Sequence, residues 1–130
     1  MMTAWRSVGS SINTFVVEGF IDEMAHAAGV DPVKFRRDMI KEADWLGVLD
    51  MAAEKGDWGK PLPKGSGRGI AIGEAMGSIV AQVAEVSVTP QGVLSVDRIV
   101  SVYDSGHIIN PNLVEAQISG SVVYGLTAAL

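Results

Sequence analysis

Val102-Tyr103-Asp104-Ser105-Gly106-His107-Ile108-Ile109-Asn110-Pro111-Asn112-Leu113-Val114-Glu115-Ala116-Gln117 joins an alternating apolar segment to the start of a helix. Asp104, Ser105 and Gly106 are turn formers that break a strand. Asn110 can cap the new helix through its side-chain oxygen, and Pro111 suits the first helical position because it has no N–H to leave unpaired. A helix start that opens from a loop offers unpaired N–H groups and a partial positive charge, which suits an anion. Gln117 falls about 9 Å further along the axis at roughly 1.5 Å per residue. It is an uncharged donor and acceptor on an otherwise small and apolar helix. Two readings of the stretch stand side by side: a well-capped buried helix, and a helix start facing an anionic ligand.

Before this stretch the pattern is that of strands. Ile70 and Ile72 lead to Gly73-Glu74-Ala75-Met76-Gly77, a kink or turn. Ile79 to Val88 is a long β-rich run in which Val80, Ala84, Val86 and Val88 share a face, with Gln82 its polar exception. Thr89-Pro90-Gln91-Gly92 predicts a hairpin turn, proline fixing φ and glycine taking the left-handed position. On the return strand Leu94, Val96, Val100 and Val102 are expected inward, with Ser95, Asp97, Ser101 and Tyr103 opposite. The helix after Asn110 carries Val114, Ile118, Val122 and Leu126 along one stripe.

The amino-terminal half reads as helices. After an irregular entry over residues 1–10, Ser10 or Ser11 is placed to cap a helix running to about Ala28 and ended by Gly29. Its expected inward face is Ile12, Phe15, Val16, Phe20, Met24 and Ala27. Asp31-Pro32 opens a second helix through Lys41, with Phe35, Met39 and Ile40 apolar and Lys34, Arg36 and Arg37 solvated. A third follows Asp44, turns Trp45, Leu46, Leu49 and Ala53 inward, and stops at Gly56. Residues 57–67, with two prolines and three glycines, read as a surface connection. The expected class is therefore α+β: N-terminal helices, an antiparallel hairpin or sheet, and a C-terminal helix. Residues 1–130 are read as one unit, divided into a helical part (1–56), a linker (57–67) and strands plus the terminal helix (68–130).

Composition narrows the function. A formal net charge of −5 disfavours nonspecific nucleic-acid binding, which needs clustered Lys and Arg. Without cysteine, the chain supplies no disulfide, thiolate metal ligand, iron–sulfur ligand or thiol nucleophile. Met1-Met2-Thr3-Ala4-Trp5-Arg6 lacks the order of a signal peptide, and no apolar run reaches membrane-spanning length. The last residues, Gly125 to Leu130, continue an apolar helix without a capping signal, so the chain is expected to be a fragment.

Few groups stand out for chemistry. His26 and His107 belong to separate segments and make no metal set, so no metal ligand is assigned. Asp104, Ser105 and His107 are turn neighbours, whereas a nucleophile triad is assembled from separate elements. Gly65-Ser66-Gly67-Arg68-Gly69 lacks the strand-to-helix setting and the Gly-Lys-Ser/Thr of a phosphate loop, which leaves a linker as the better reading. Glu74 beside the glycine kink suits a base or, more simply, an ion pair. Arg6 is suited to bidentate contact with an anion, or to a structural role.

Three blocks together resemble the molybdenum-binding large (beta) subunit of the xanthine dehydrogenase and aldehyde oxidase family. The likeness is nearest to the beta subunits of isoquinoline 1-oxidoreductases and related aldehyde dehydrogenases. The blocks are Trp5-Arg6-Ser7-Val8-Gly9; Phe15 to Met24 with Asp31-Pro32 and Phe35-Arg36; and Gly67-Arg68-Gly69-Ile70-Ala71 onward through Asp104-Ser105-Gly106, Ile109-Asn110-Pro111, Gln117, Gly120 and Gly125-Leu126.

The resemblance implies hydroxylation of aldehydes or N-heteroaromatics with oxygen from water. It implies a molybdenum held by molybdopterin, in bacteria often as the cytosine dinucleotide, and electrons leaving through 2Fe–2S clusters on a small subunit. Arg6 would lie beside the molybdopterin, Gln117 would hydrogen-bond it, and Val8 would line the substrate pocket. Ser105, Ser119-Gly120-Ser121 and Ser10-Ser11 depart from the family pattern. The family's catalytic glutamate would lie beyond Leu130 and other glycine segments before Met1. The fragment is thus expected to contain no catalytic residue, to bind no cofactor alone and to be inactive alone. Its expected partners are the rest of the large subunit and the 2Fe–2S subunit, with a homodimer of the fragment as a further option and a cytoplasmic or periplasmic location left open. The alternative reading is a stand-alone protein-interaction or structural module, its exposed apolar helix and strand edge seeking a partner.

Overall fold

The computed structural model describes residues 6–130, so Met1 to Trp5, half of the expected irregular entry, lie outside the described residues. Along the rest run α1 (Ser10–Ala28), α2 (Pro32–Met39), α3 (Ala43–Lys55), β1 (Ser66–Ala75), β2 (Ser78–Val88), β3 (Leu94–Asp104) and α4 (Pro111–Ala129). The class is α+β as expected, with an antiparallel sheet in the order β1-β2-β3.

Local chemistry sets the element ends. Asp31 Oδ1 accepts the Val33 and Lys34 N–H groups at 2.9 and 3.0 Å, and Pro32 opens α2. Asn110 repeats the device for α4, accepting from Asn112 and Leu113 at 3.1 and 3.4 Å ahead of Pro111. Gly29, at φ 65°, ends α1 in the left-handed conformation that glycine takes without penalty. The expected serine cap on α1 is not formed: Gly9 is the N-cap and no side chain caps that end. Helix α2 stops at Met39 rather than Lys41.

The buried face of α1 differs from the expected one. Ala25 and Glu18 are buried and Thr14 and Ile21 are half-buried, whereas Ile12, Phe15, Val16 and Phe20 are exposed, Phe15 by 79%. A charge explains the rotation. Arg36, expected in solvent, is 1% exposed and donates from Nε to Glu18 Oε2 at 2.9 Å. Its NH1 reaches Asp22 at 2.7 Å and the Pro32 carbonyl at 3.1 Å, while NH2 reaches the Glu18 carbonyl at 3.2 Å. Glu18 Oε2 also accepts the Ile72 N–H at 2.7 Å, giving edge strand β1 the acceptor it lacks on its open side. One carboxylate therefore joins α1, α2 and β1.

The core lies between α2, α3 and one face of the sheet: Val33, Val48, Leu49, Ala52, Ile70, Ile72, Ala81 and Val83, with Trp45, Ala53, Val100 and Val102 packed against it. Leu46 is half-buried and Val48 fills the position more fully. Residues directly opposite in an antiparallel pair share a face. Ile70 faces Val83 and Val100, and Ile72 faces Ala81 and Val102, so these rows form the core side. Val80, Ala84 and Val86 do share a face with Gln82, but it is the opposite, half-open one. A bulge at Glu85/Val86 pairs Val86 with Val96 and Glu85 with Arg98. The extra residue, Asp97, turns Val96 away from the face of Val100, which corrects the expected Leu94-Val96-Val100-Val102 stripe.

On the core side Arg68, Glu85 and Arg98 stand in one row. Glu85 Oε1 accepts from Arg68 NH2 at 2.7 Å and from Arg98 NH1 at 3.3 Å. Arg98 continues to Asp57 Oδ2 at 2.9 Å and to the Lys55 carbonyl at 2.7 Å, clamping the end of α3 to the sheet. The Thr89–Gly92 turn forms as expected, with Gly92 N–H donating to the Thr89 carbonyl at 2.9 Å. Helix α4 has its expected stripe Val114, Ile118, Val122 and Leu126 half-buried, yet none of its residues is buried, so it is not the buried helix of the first reading.

Candidate functional site

The candidate site lies where β3 hands over to α4. Asp104 Oδ1 accepts the Gly106 N–H at 2.9 Å, an Asx turn that ends the strand, and Gly106 takes φ 69°. The chain then reaches Asn110 and enters α4. Both early amides of α4 with a free N–H, those of Asn112 and Leu113, are held by Asn110, and Val114 N–H returns to the Asn110 carbonyl at 3.3 Å. The helix start is thus satisfied by its own cap and offers no unpaired amide to an anion, contrary to the second reading of that stretch.

The positive charge at this place comes instead from the far end of the chain. Arg6 NH2 donates to Gln117 Oε1 at 3.2 Å across a sequence separation of 111 residues. Arg6 Cζ also stands 5.5 Å from the ring centroid of Tyr124, within the range of a cation–π contact. The Tyr124 hydroxyl donates to the Arg6 carbonyl at 3.4 Å. Arg6 precedes two non-glycine residues in the left-handed region, Ser7 at φ 70° and Val8 at φ 51°. For β-branched Val8 that conformation is strained. The turn closes with Ser10 N–H on the Ser7 carbonyl at 2.9 Å, and the Ser7 hydroxyl donates to the Arg6 carbonyl.

Arg6, Gln117, Tyr103, Ser105, Leu113 and Ser121 line a hollow of about 340 Å³, with Val114 and Ile118 at its apolar wall. Chemically this is a guanidinium, an amide and hydroxyls set against aliphatic carbon. That combination orients a planar or anionic polar ligand through a few directional donors. Two of the residues singled out in the sequence, Arg6 and Gln117, therefore share one hollow. Val8 does not line it and is 65% exposed. Tyr124 escaped the sequence reading, although its spacing of two helical turns from Gln117 places both on one side of α4. His26, His107 and Glu74 take no part: Glu74 instead accepts the Gly77 N–H at 2.6 Å and braces the β1–β2 turn. Among the described residues no three His, Asp or Glu side chains gather as a metal set, and no helix is long and apolar enough to cross a membrane.

A second hollow, of about 320 Å³, opens between α1, α2 and β1 over the buried Glu18–Arg36 pair, with Val17, Met39, Ile40 and Trp45 on its sides. Every buried polar side-chain atom among the described residues has a partner, so its floor is a closed ion pair rather than a set of donors awaiting a ligand.

Comparison with known proteins adds an independent line. A family model described as a molybdopterin cofactor-binding domain matches residues 21–130, which include Gln117 but not Arg6. The chain is 32% identical over 143 residues to a nicotinate dehydrogenase subunit of Pseudomonas putida, covering 96% of this chain and 12% of that protein. It is 32% identical over 131 residues to the beta subunit of isoquinoline 1-oxidoreductase of Brevundimonas diminuta, covering 96% and 17%. A third relative is the membrane-bound aldehyde dehydrogenase (pyrroloquinoline-quinone) of Gluconacetobacter polyoxogenes, 30% identical over 146 residues, with 96% and 19% covered. The chain thus spans less than a fifth of the length of each of these relatives. No solved structure matches it.

Proposed function

The chain belongs to the molybdopterin cofactor-binding domain family, and from that premise we propose that it is one wall of the cofactor site in a molybdenum hydroxylase large subunit. The observation that carries this reading is the meeting of Arg6 and Gln117, from opposite ends of the chain, over one hollow. Their donor set fits the group: molybdopterin is anionic and rich in acceptors, and a guanidinium with an amide supplies directional donors for it. Gln117 would hydrogen-bond the pterin and Arg6 would face its anionic part. Ser105 and Ser121 would add hydroxyls, and Val114 and Ile118 would exclude water from one side. Bound there, the cofactor would supply oxygen-atom transfer from water and the redox chemistry of molybdenum.

The substrates belong to the aldehyde or N-heteroaromatic class, which two relatives' names support with nicotinate and isoquinoline. Val8 is assigned to the substrate side. Its exposure leaves it available to a pocket completed by the rest of the large polypeptide. The remaining large subunit, a 2Fe–2S partner and the cytosine dinucleotide form complete the proposal, with activity residing in that assembly and not in these residues alone. Metal and pterin analysis of the protein purified from its native host tests it. Stoichiometric molybdenum with an extractable pterin is expected, and both should fall in Arg6→Ala and Gln117→Ala variants. A metal-free protein carrying a quinone, as the third relative's name suggests for that enzyme, would overturn the reading.

A second reading, a stand-alone interaction module, draws on the exposed Ile12, Phe15, Val16 and Phe20 of α1. Purification from the native host separates the two: residues that come as part of a longer polypeptide holding pterin favour the subunit, whereas a self-associated chain with neither favours the module.

A further inference from the structure

We infer that Tyr124 is a positioning residue that holds Arg6 in its site-facing conformation. The inference rests on the proposed role of Arg6 and Gln117 and adds a group that is not part of the hollow's lining. Arginine is a poor directional donor when free, because its long side chain samples many rotamers that binding must freeze. Here one side chain restrains it at two points. The Tyr124 ring lies 5.5 Å from Arg6 Cζ, while the Tyr124 hydroxyl donates to the carbonyl of the same arginine at 3.4 Å. With NH2 on Gln117 Oε1 at 3.2 Å, the guanidinium is aimed by α4 at both ends of a two-turn span.

The backbone makes such a restraint necessary. Arg6 enters through the left-handed pair Ser7 and Val8, and no residue of α4 is buried. Neither segment is fixed by core packing, so each depends on the other. Ring and hydroxyl have separable duties: the hydroxyl anchors the main chain, and the ring orients the charge.

The experiment uses the assembled large subunit with isotope-labelled arginine, with its cofactor bound and after the cofactor has been removed. In the wild type the ring current of Tyr124 should displace the Arg6 δ-proton resonances upfield. Tyr124→Phe should keep that displacement, and Tyr124→Leu should abolish it while the resonances of buried Arg36 stay in place, reporting an intact fold. Cofactor loss should quicken about two- to fivefold in Tyr124→Leu, the order of an exposed cation–π contact, and only slightly in Tyr124→Phe. Arg6 resonances that do not move in Tyr124→Leu would overturn the inference, as would equal cofactor retention in wild type and Tyr124→Leu. If the protein holds no pterin at all, the proposed function falls; the resonance comparison still decides whether Tyr124 positions Arg6.

Discussion

Arg36 and Glu18 form a buried ion pair in which the guanidinium is 1% exposed and the Nε–Oε2 distance is 2.9 Å. Two charges taken out of water stabilise a fold only while each keeps the other, so the pair acts as a lock with two halves.

Removing one half should therefore cost more than removing both. Arg36→Met is expected to destabilise the chain by about 3–5 kcal/mol, because it strands the Glu18 carboxylate in the interior. The double variant Glu18→Leu/Arg36→Met should lose only about 1–3 kcal/mol, the expense of leaving the buried Ile72 N–H without its acceptor. Urea denaturation of the three proteins checks the order.

Gly56 closes α3 against the sheet without room for a methyl group. A Cβ there would lie 2.7 Å from Val83 Cβ and 2.8 Å from the Ala52 carbonyl oxygen. Gly56→Ala is expected to lower stability by about 1–3 kcal/mol through overpacking. Gly59→Ala, at a site with nothing nearby but φ of 83°, serves as the strain-only comparison in the same melting experiment.

Asp57 carries the pH dependence. Hydrogen bonds from Lys60 and Arg98, and the charges behind them, lower its pKa from 3.8 to about 2. A carboxylate whose folded pKa is depressed binds protons more weakly when folded, so its contribution is complete above the ordinary value and is lost as pH falls toward about 2. The melting temperature of the wild type should exceed that of Asp57→Asn at pH 6. The gap should close between pH 4 and pH 2; a gap that is constant with pH would refute the assignment.

Asn110→Ala should loosen α4 locally. Loss of a side-chain cap costs about 1 kcal/mol, and no buried residue of α4 ties that cost to the rest of the fold. Hydrogen exchange at Asn112 and Leu113 should quicken several-fold, with protection at Ile72 and Val83 unchanged.

Where the sequence spoke in local chemistry, it was legible. The Asp31-Pro32 and Asn110-Pro111 starts, the Gly29 stop and the Thr89–Gly92 turn each depend on a few adjacent residues. The buried face of α1 was not legible, because apolar residues surround most of that helix and the deciding residue is an acid. Only its distant partner, Arg36, makes burying Glu18 favourable. The inward set of β3 failed for a different reason: an alternation rule assumes uniform pairing, and the bulge at Asp97 breaks it. At the site, Arg6 and Gln117 came from resemblance, and their hydrogen bond over 111 residues has no local signature. Tyr124 had one, its two-turn spacing from Gln117, but an aromatic on an apolar helix reads first as packing.

The irregularity between Glu85 and Val86 also governs how the sheet tolerates change. By absorbing one residue, it shifts the alternation of β3, so even-numbered positions before Asp97 and after it face opposite sides of the same ribbon. Deleting Asp97 would restore a regular ladder with both halves of the strand facing as they do now, Val96 opposite Val86 and Arg98 opposite Glu85. A one-codon loss at that point would then be mild, and the segment leading to Tyr103 and the hollow would keep its orientation.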